Sequence, residues 1–286
     1  MAFDLYQGIT NQIVSMLERR VIPWRSPILS QPAGQPQNLE SSKPYRGINV
    51  FLLAFTAWTK GYGSRYWLTF NQAKAHGASI KRGEKSSTVV YWRQLEVPDA
   101  QTGKPKQIPM LRYYNVFNTD QCDALAIGDE EKATPRPFTP IESAEALVKG
   151  YQGGPVIEHA GERACYLPLR DTVQLPEPGR FVSGEEYYAT LFHEMAHSTG
   201  HSTRLDRGLD QAPRPFGSPD YGKEELVAEM AAAYLCGEAG IQPAVIENQA
   251  AYLDGWLKKL KQDKKLILTA ASAGQKAADW ICGARS

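Results

Sequence analysis

Histidine is scarce in this chain, with five in 286 residues. Cysteine is scarcer, and its four copies (Cys122, Cys165, Cys236, Cys282) never form a C-x-x-C pair. That spacing supports neither a zinc knuckle nor a disulfide framework, and points to reduced thiols in the cytoplasm. No apolar run reaches the roughly 18 residues that a bilayer span needs. The longest, "NVFLLAFTAW" from Asn49 to Trp58, reads as a buried helix. The opening "MAFDLYQGIT" lacks a basic stretch followed by an apolar one, so no secretory signal is expected. There is no internal repeat and no low-complexity tract. Membrane-spanning and disulfide-scaffold classes are thereby set aside.

Net charge is also nearly absent, at +1, but this balance conceals a split. Residues 1–128 carry 15 Lys and Arg against 8 Asp and Glu, a net of +7; the remainder carries 17 against 23, a net of −6. A basic part joined to an acidic part suggests that only one of them meets a polyanion.

Organisation follows the same division. Residues 3–20 place Tyr6, Ile9, Ile13, Met16 and Leu17 on one helical stripe. A second helix is expected over 47–60, stopped by Gly61. "RYWLTF" (65–70) reads as a strand, and Asn71 as the cap of a short helix stopped by Gly77. The β-rich runs 87–97 and 109–117 flank a turn-rich basic stretch and predict a hairpin with a long tip. Residues 129–140 are charged, then proline-spaced, and read as a linker. The expected fold class is therefore α+β: a small α+β domain over 1–128 joined to a second domain over 141–286. In the latter, Ser183 and Glu186 suggest a capping box opening a helix over about 184–199.

Three of the five histidines fall in "HEMAHSTGH", residues 193–201. His193 and His197 are four residues apart, about 40° beyond one helical turn, so both imidazoles leave one face within about 6 Å of each other. A tetrahedral Zn2+ takes one nitrogen from each at about 2.0–2.1 Å. Glu194 turns away from the ion and is placed to act as general base, taking a proton from water as it attacks a carbonyl. This H-E-x-x-H arrangement predicts a metallopeptidase. The helix is apolar before the motif, and unpaired buried histidines would be costly.

A catalytic ion needs a third protein ligand. A histidine six residues past His197 is excluded, since Thr203 stands there. His201 follows the helix-ending Gly200. "ELVAE" supplies Glu225 and Glu229, and is similar to the E-x-x-A-D pattern of zinc peptidases, in which the first acid binds metal and the second supports a ligating histidine. That pattern favours Glu225 as ligand and leaves Glu229 as the alternative. Tyr221, His201 and Arg204 are candidate transition-state partners, and strands within 156–175 a candidate substrate edge.

The basic part holds 16 of the 29 aromatic residues, many beside a cation. Such a mixture suits single-stranded DNA, whose bases stack on rings while cations follow the phosphates. The candidate contacts are Trp24, Arg25, Lys43, Tyr45, Arg46, Arg65, Trp67, Lys81, Arg82, Lys85, Trp92 and Arg93. No groove-reading helix is evident, which argues against duplex reading.

"PWRSP", "KPYRGINVFLLAF", "YWLTFNQAKAHGASIKRGEKSSTVVYW" and "YYNVFNTDQC" resemble the N-terminal domain of the ArdC antirestriction family. "FHEMAHSTGHSTRLDR", "YGKEELVAEMAAAYL" and "AASAGQKAADWICG" resemble its zincin-like C-terminal domain. The resemblance covers nearly the whole chain. It implies a plasmid or mobile-element protein that binds single-stranded DNA and protects incoming DNA from host restriction during conjugation. It also implies His193, Glu194, His197 and a downstream glutamate in a metal site holding Zn2+, or Mn2+ or Co2+. A host restriction protein is then the candidate target. The alternative is a non-catalytic DNA-binding protein with a structural metal, its fourth position closed by a residue such as His201. A metal-dependent nuclease ranks below both, because paired carboxylates for Mg2+ are not evident.

Overall fold

The structure is a computed structural model that describes residues 4–19, 22–24, 35–98, 105–125, 140–181, 183–211, 219–241 and 249–284. In chain order its elements are α1 (Leu5–Glu18), β1 (Gln37–Asn38), α2 (Ile48–Lys60), β2 (Tyr66–Thr69), α3 (Phe70–Ala75), β3 (Ser79–Ile80), β4 (Ser87–Pro98), β5 (Pro105–Asn118), β6 (Cys122–Asp123), α4 (Pro140–Gly150), β7 (Val156–His159), β8 (Cys165–Leu167), β9 (Thr172–Leu175), α5 (Gly184–Ser198), α6 (Pro219–Ala239), α7 (Gln249–Gln262) and α8 (Leu266–Ile281). This is the mixed α+β architecture expected. Among the described residues no helix is long and apolar enough to cross a membrane.

Two compact units form, residues 35–133 and residues 1–34 with 134–286. The first is built on a sheet of order β1-β2-β5-β4, parallel only between β1 and β2. Helix α2 covers one face, where Leu53, Trp67, Val89 and Val116 make a core. Buried Asn49 extends the hydrogen bonding of the sheet: its amide donates to the Val90 carbonyl (2.7 Å) and its oxygen accepts from Val90 N–H (2.8 Å). The short helix α3 is capped by Thr69, not by Asn71 as the sequence suggested. The Thr69 hydroxyl accepts from Gln72 N–H, and Gln72 Oε1 accepts from Thr69 N–H, a reciprocal box that starts the helix two residues earlier. The hairpin also pairs further than expected, as far as Pro98 with Pro105. Antiparallel register carries the ladder into both ends of the basic stretch read as a turn. The expected linker, apart from Pro140, lies outside the described residues.

The second unit holds the sheet β7-β9-β8, with β9 central and its Val173 and Leu175 wholly buried. Helices α5, α6 and α8 pack through small residues, with Ala196, Ala228, Ala231 and Ala277 sharing one cluster. Helix α1, read from sequence together with the basic stretch, makes its contacts within this unit. The reason is the stripe on α1: Leu5, Ile9, Ile13, Met16 and Leu17 are buried. Helix α1 meets the α7–α8 region. Thr10 donates to the Lys264 carbonyl at 2.8 Å, and Trp24 stacks edge-on against Trp256 with centroids 5.5 Å apart.

Candidate metal centre

Helix α5 begins at Ser183, whose hydroxyl accepts from Glu186 N–H at 3.2 Å. That start sets the phase of the helix. His193 and His197 then lie one turn apart with Glu194 between them, and both His193 and Glu194 are buried. The two imidazole Nε2 atoms converge to 3.1 Å. Across from them α6 presents Glu225, with Oε2 3.6 Å from His193 Nε2 and Oε1 3.4 Å from His197 Nε2. One donor atom from each of His193, His197 and Glu225 falls within 4.8 Å of the others.

This donor set fits a divalent ion. Nitrogens 3.1 Å apart, each about 2.0–2.1 Å from an ion, subtend about 100° at it, close to tetrahedral. The carboxylate distances match the separation expected between neighbouring ligands. Glu229, one turn beyond Glu225, stands 4.0 Å from His193 Nδ1 on the side away from this point. Glu225 thus shares the cluster with both Nε2 atoms, while Glu229 lies on the Nδ1 side of His193.

Two residues at the centre were not singled out from sequence. Glu224 stands 3.4 Å from His197 Nδ1, so consecutive glutamates address opposite nitrogens of one ring. Arg207 grips Glu224 bidentately, from Nε at 3.0 Å to Oε2 and from Nη2 at 2.6 Å to Oε1. A double glutamate before an apolar run was the available signal. Which nitrogen each acid meets depends on how α6 docks, which no local pattern carries.

The electrostatics follow from burial in company. Burial opposes protonation of both imidazoles, but the surrounding glutamates outweigh it, and His197 titrates well above its ordinary 6.5. Burial pushes Glu224 up, yet His197 and Arg207 outweigh that and hold it at about 2. Glu225 is likewise held below the usual carboxylate range, burial being overcome by both imidazoles. Burial and the Glu194 charge push the Cys165 thiol up, and β8, an edge strand of its sheet, packs against α5.

The other candidates separate. His201 turns to Thr203 (2.9 Å) and Asp210 (3.6 Å) and does not join the ligand cluster. Arg204 is bonded to Asp171 and, at 2.9 Å, to the Ser198 carbonyl. The Tyr221 side chain lies outside what is described.

Of the DNA candidates, Trp24 and Trp67 are corrected: both are fully buried and offer no ring face to a base. Tyr45 packs partly against the core of its unit. Arg65 is half-buried, its Nη2 donating to Tyr66 Oη at 2.9 Å. Lys43, Arg46, Lys81, Arg82 and Lys85 are exposed. Arg25 and the side chains of Trp92 and Arg93 lie outside the described set. Among the described residues the exposed rings are Trp58, Phe70, Tyr91, Tyr113 and Tyr114. None was among the chosen contacts, because adjacency to a cation says nothing about which face of a strand is covered.

Residues 3–117 match a family described as the N-terminal domain of anti-restriction factor ArdC, and residues 142–273 match a zincin-like metallopeptidase family. The chain is 39% identical to the antirestriction ArdC protein of plasmid R388 in its metal-free crystal structure and 38% in its Mn(II)-bound one. In both comparisons the TM-score is 0.77, with 98% of this chain and 97% of that one covered. It is 33% identical over 291 residues to protein y4eC of Sinorhizobium fredii, covering 97% of this chain and 91% of the relative. It is also 34% identical over 298 residues to the DNA primase TraC of Escherichia coli, but spans only 27% of that primase.

Proposed function

Because the chain belongs to the ArdC family of antirestriction proteins, we propose that it binds single-stranded DNA and carries a divalent-metal peptidase site, and so protects incoming DNA of a plasmid or mobile element from host restriction. The observation that carries the chemical part is the convergence of two Nε2 atoms and one carboxylate within 4.8 Å beside a buried glutamate. His193, His197 and Glu225 would hold the ion, Zn2+ or else Mn2+ or Co2+. When bound, the ion polarises a peptide carbonyl and makes water more acidic. Glu194 takes the proton of the attacking water on its carboxylate and hands it to the departing amine. Edge strand β8, packed against α5, offers backbone pairing to an extended peptide. The candidate target is a host restriction protein met in the cytoplasm.

The DNA part is supported by exposed tyrosines on a basic unit. Strand register puts Tyr91, Arg112 and Tyr114 on one face of the hairpin, all exposed. Ring stacking there is worth about 1–3 kcal/mol per base, with cations following the phosphates.

The test compares wild type with Glu194→Ala for bound metal, affinity for single-stranded DNA and protection of conjugated DNA. The expected variant keeps metal and DNA binding and loses protection. Full protection by Glu194→Ala would mean that coating the DNA, not peptide cleavage, does the work.

A further inference from the structure

Arg207 follows the last histidine of the helical motif by ten residues, and its guanidinium joins the backbone and the carboxylate on the Nδ1 side of His197. Nε and Nη2 donate to the two oxygens of Glu224, at 3.0 and 2.6 Å. Nη2 also donates to the Ala196 carbonyl at 2.9 Å, and Nη1 to Thr199 Oγ1 at 2.8 Å. Ala196 and Thr199 flank His197 on α5, while Glu224 belongs to α6 and stands 3.4 Å from His197 Nδ1. One planar cation thus fixes the last turn of α5 and the carboxylate behind the ring as a single body. His193 is held differently: its Nδ1 is buried without a hydrogen-bond partner, with Glu229 4.0 Å away.

We infer that Arg207 and Glu224 form a positioning pair that sets the tautomer and aim of His197 for the ion. An imidazole has two nitrogens and one proton when neutral. If Glu224 accepts the proton carried on Nδ1, the lone pair is left on Nε2, which is the nitrogen facing His193 and Glu225. Glu224 can play that part only while it is itself held, because a buried carboxylate one helical step from Glu225 could otherwise swing into the ligand position. Arg207 supplies the hold through a two-point fork, which a lysine cannot reproduce. The inference rests on the metal-centre reading above, and not on peptide cleavage.

The experiment titrates full-length wild type, Glu224→Gln and Arg207→Lys with Zn2+ and with Mn2+, measuring Kd by competition well below each variant's melting temperature. Far-UV circular dichroism and the melting transition of the metal-free variants serve as the folding control. Outer partners of this kind carry roughly ten- to hundred-fold in metal affinity, and that loss is expected in Glu224→Gln, with a smaller one in Arg207→Lys. In parallel, the histidine 15N spectrum of Zn-loaded wild type is expected to show His197 protonated at Nδ1. Unchanged Kd values in variants that merely melt lower would make the pair structural and overturn the inference. So would His197 protonated at Nε2, a readout that stands even where a variant does not fold. Failure of wild type to bind either ion is a different result: it removes the metal centre itself and the inference with it.

Discussion

His197 shows how much a single side chain depends on its neighbours. Before any metal arrives, three glutamates surround two imidazoles, and the rings keep protons that bulk water would take. His197 titrates above its ordinary 6.5, so its stabilising interactions are complete below about pH 6.5 and are lost as pH rises through its folded value. Glu224 is held at about 2 against an ordinary 4.5, so its contribution is complete above about 4.5 and is lost as pH falls toward 2. Metal-free protein is therefore expected to melt highest between about pH 4.5 and 6.5 and lower at pH 8–9. Protein with Mn2+ or Zn2+ replaces those protons with an ion and is expected to keep its melting temperature at pH 8–9. Thermal scans with EDTA and with metal check this, and equal pH profiles would contradict it. Among the acids, Glu225→Gln is expected to abolish tight binding, while Glu229→Gln weakens it by roughly ten- to hundred-fold; metal analysis after dialysis separates the two. Much of this was legible in the sequence. The histidine pair and Glu194 follow from helical spacing, and Glu225 from a short pattern. The roles of Glu224 and Arg207 were not, since they join a loop to two helices.

At the level of elements, the cluster depends on α5 and α6 meeting, with α8 packed against α6 behind it. Gly274 on α8 has no room for a side chain: an added Cβ would meet Met230 Cβ and the Val227 carbonyl at 3.0 Å and Ala231 N at 3.1 Å. Two of those are backbone atoms of α6, five or fewer residues from Glu229. Gly274→Ala is expected to cost about 1–3 kcal/mol through overpacking, seen as a drop of several degrees in melting temperature, and to weaken metal binding by shifting α6. In the other unit Asn49 does for β4 what a neighbouring strand would do. Asn49→Ala leaves Val90 N–H and C=O without those partners in a buried place, at a cost of about 2–3 kcal/mol; urea unfolding reads it. Helix α2 was readable from its apolar run and its glycine stop, but the part played by Asn49 was not, because it lies 41 residues from its partner. The start of α3 was misread for a simpler reason: Thr69 and Asn71 are both good caps, and the reciprocal glutamine decided between them.

For the whole molecule, the question is whether the basic unit and the metal centre act separately. The charge split across the sequence already divides them, and the sequence placed the metal residues on one side and the exposed tyrosines on the other. It left open what α1 packs against, because an amphipathic stripe says that a face is buried without saying against what. If single-stranded DNA is held by stacking and phosphate contacts on the hairpin, Tyr114→Ala should weaken binding by about 1–3 kcal/mol, roughly five- to hundred-fold, and leave bound metal unchanged. Glu225→Gln should do the reverse. Both effects are read on the same preparations, by fluorescence anisotropy with a labelled oligonucleotide and by metal analysis. Raising salt should weaken the DNA complex of wild type and of Glu225→Gln with the same slope, since the slope counts phosphates neutralised by lysine and arginine. A metal-dependent change in that slope would show that the ion alters the DNA-binding surface, and the two activities would then have to be treated as one.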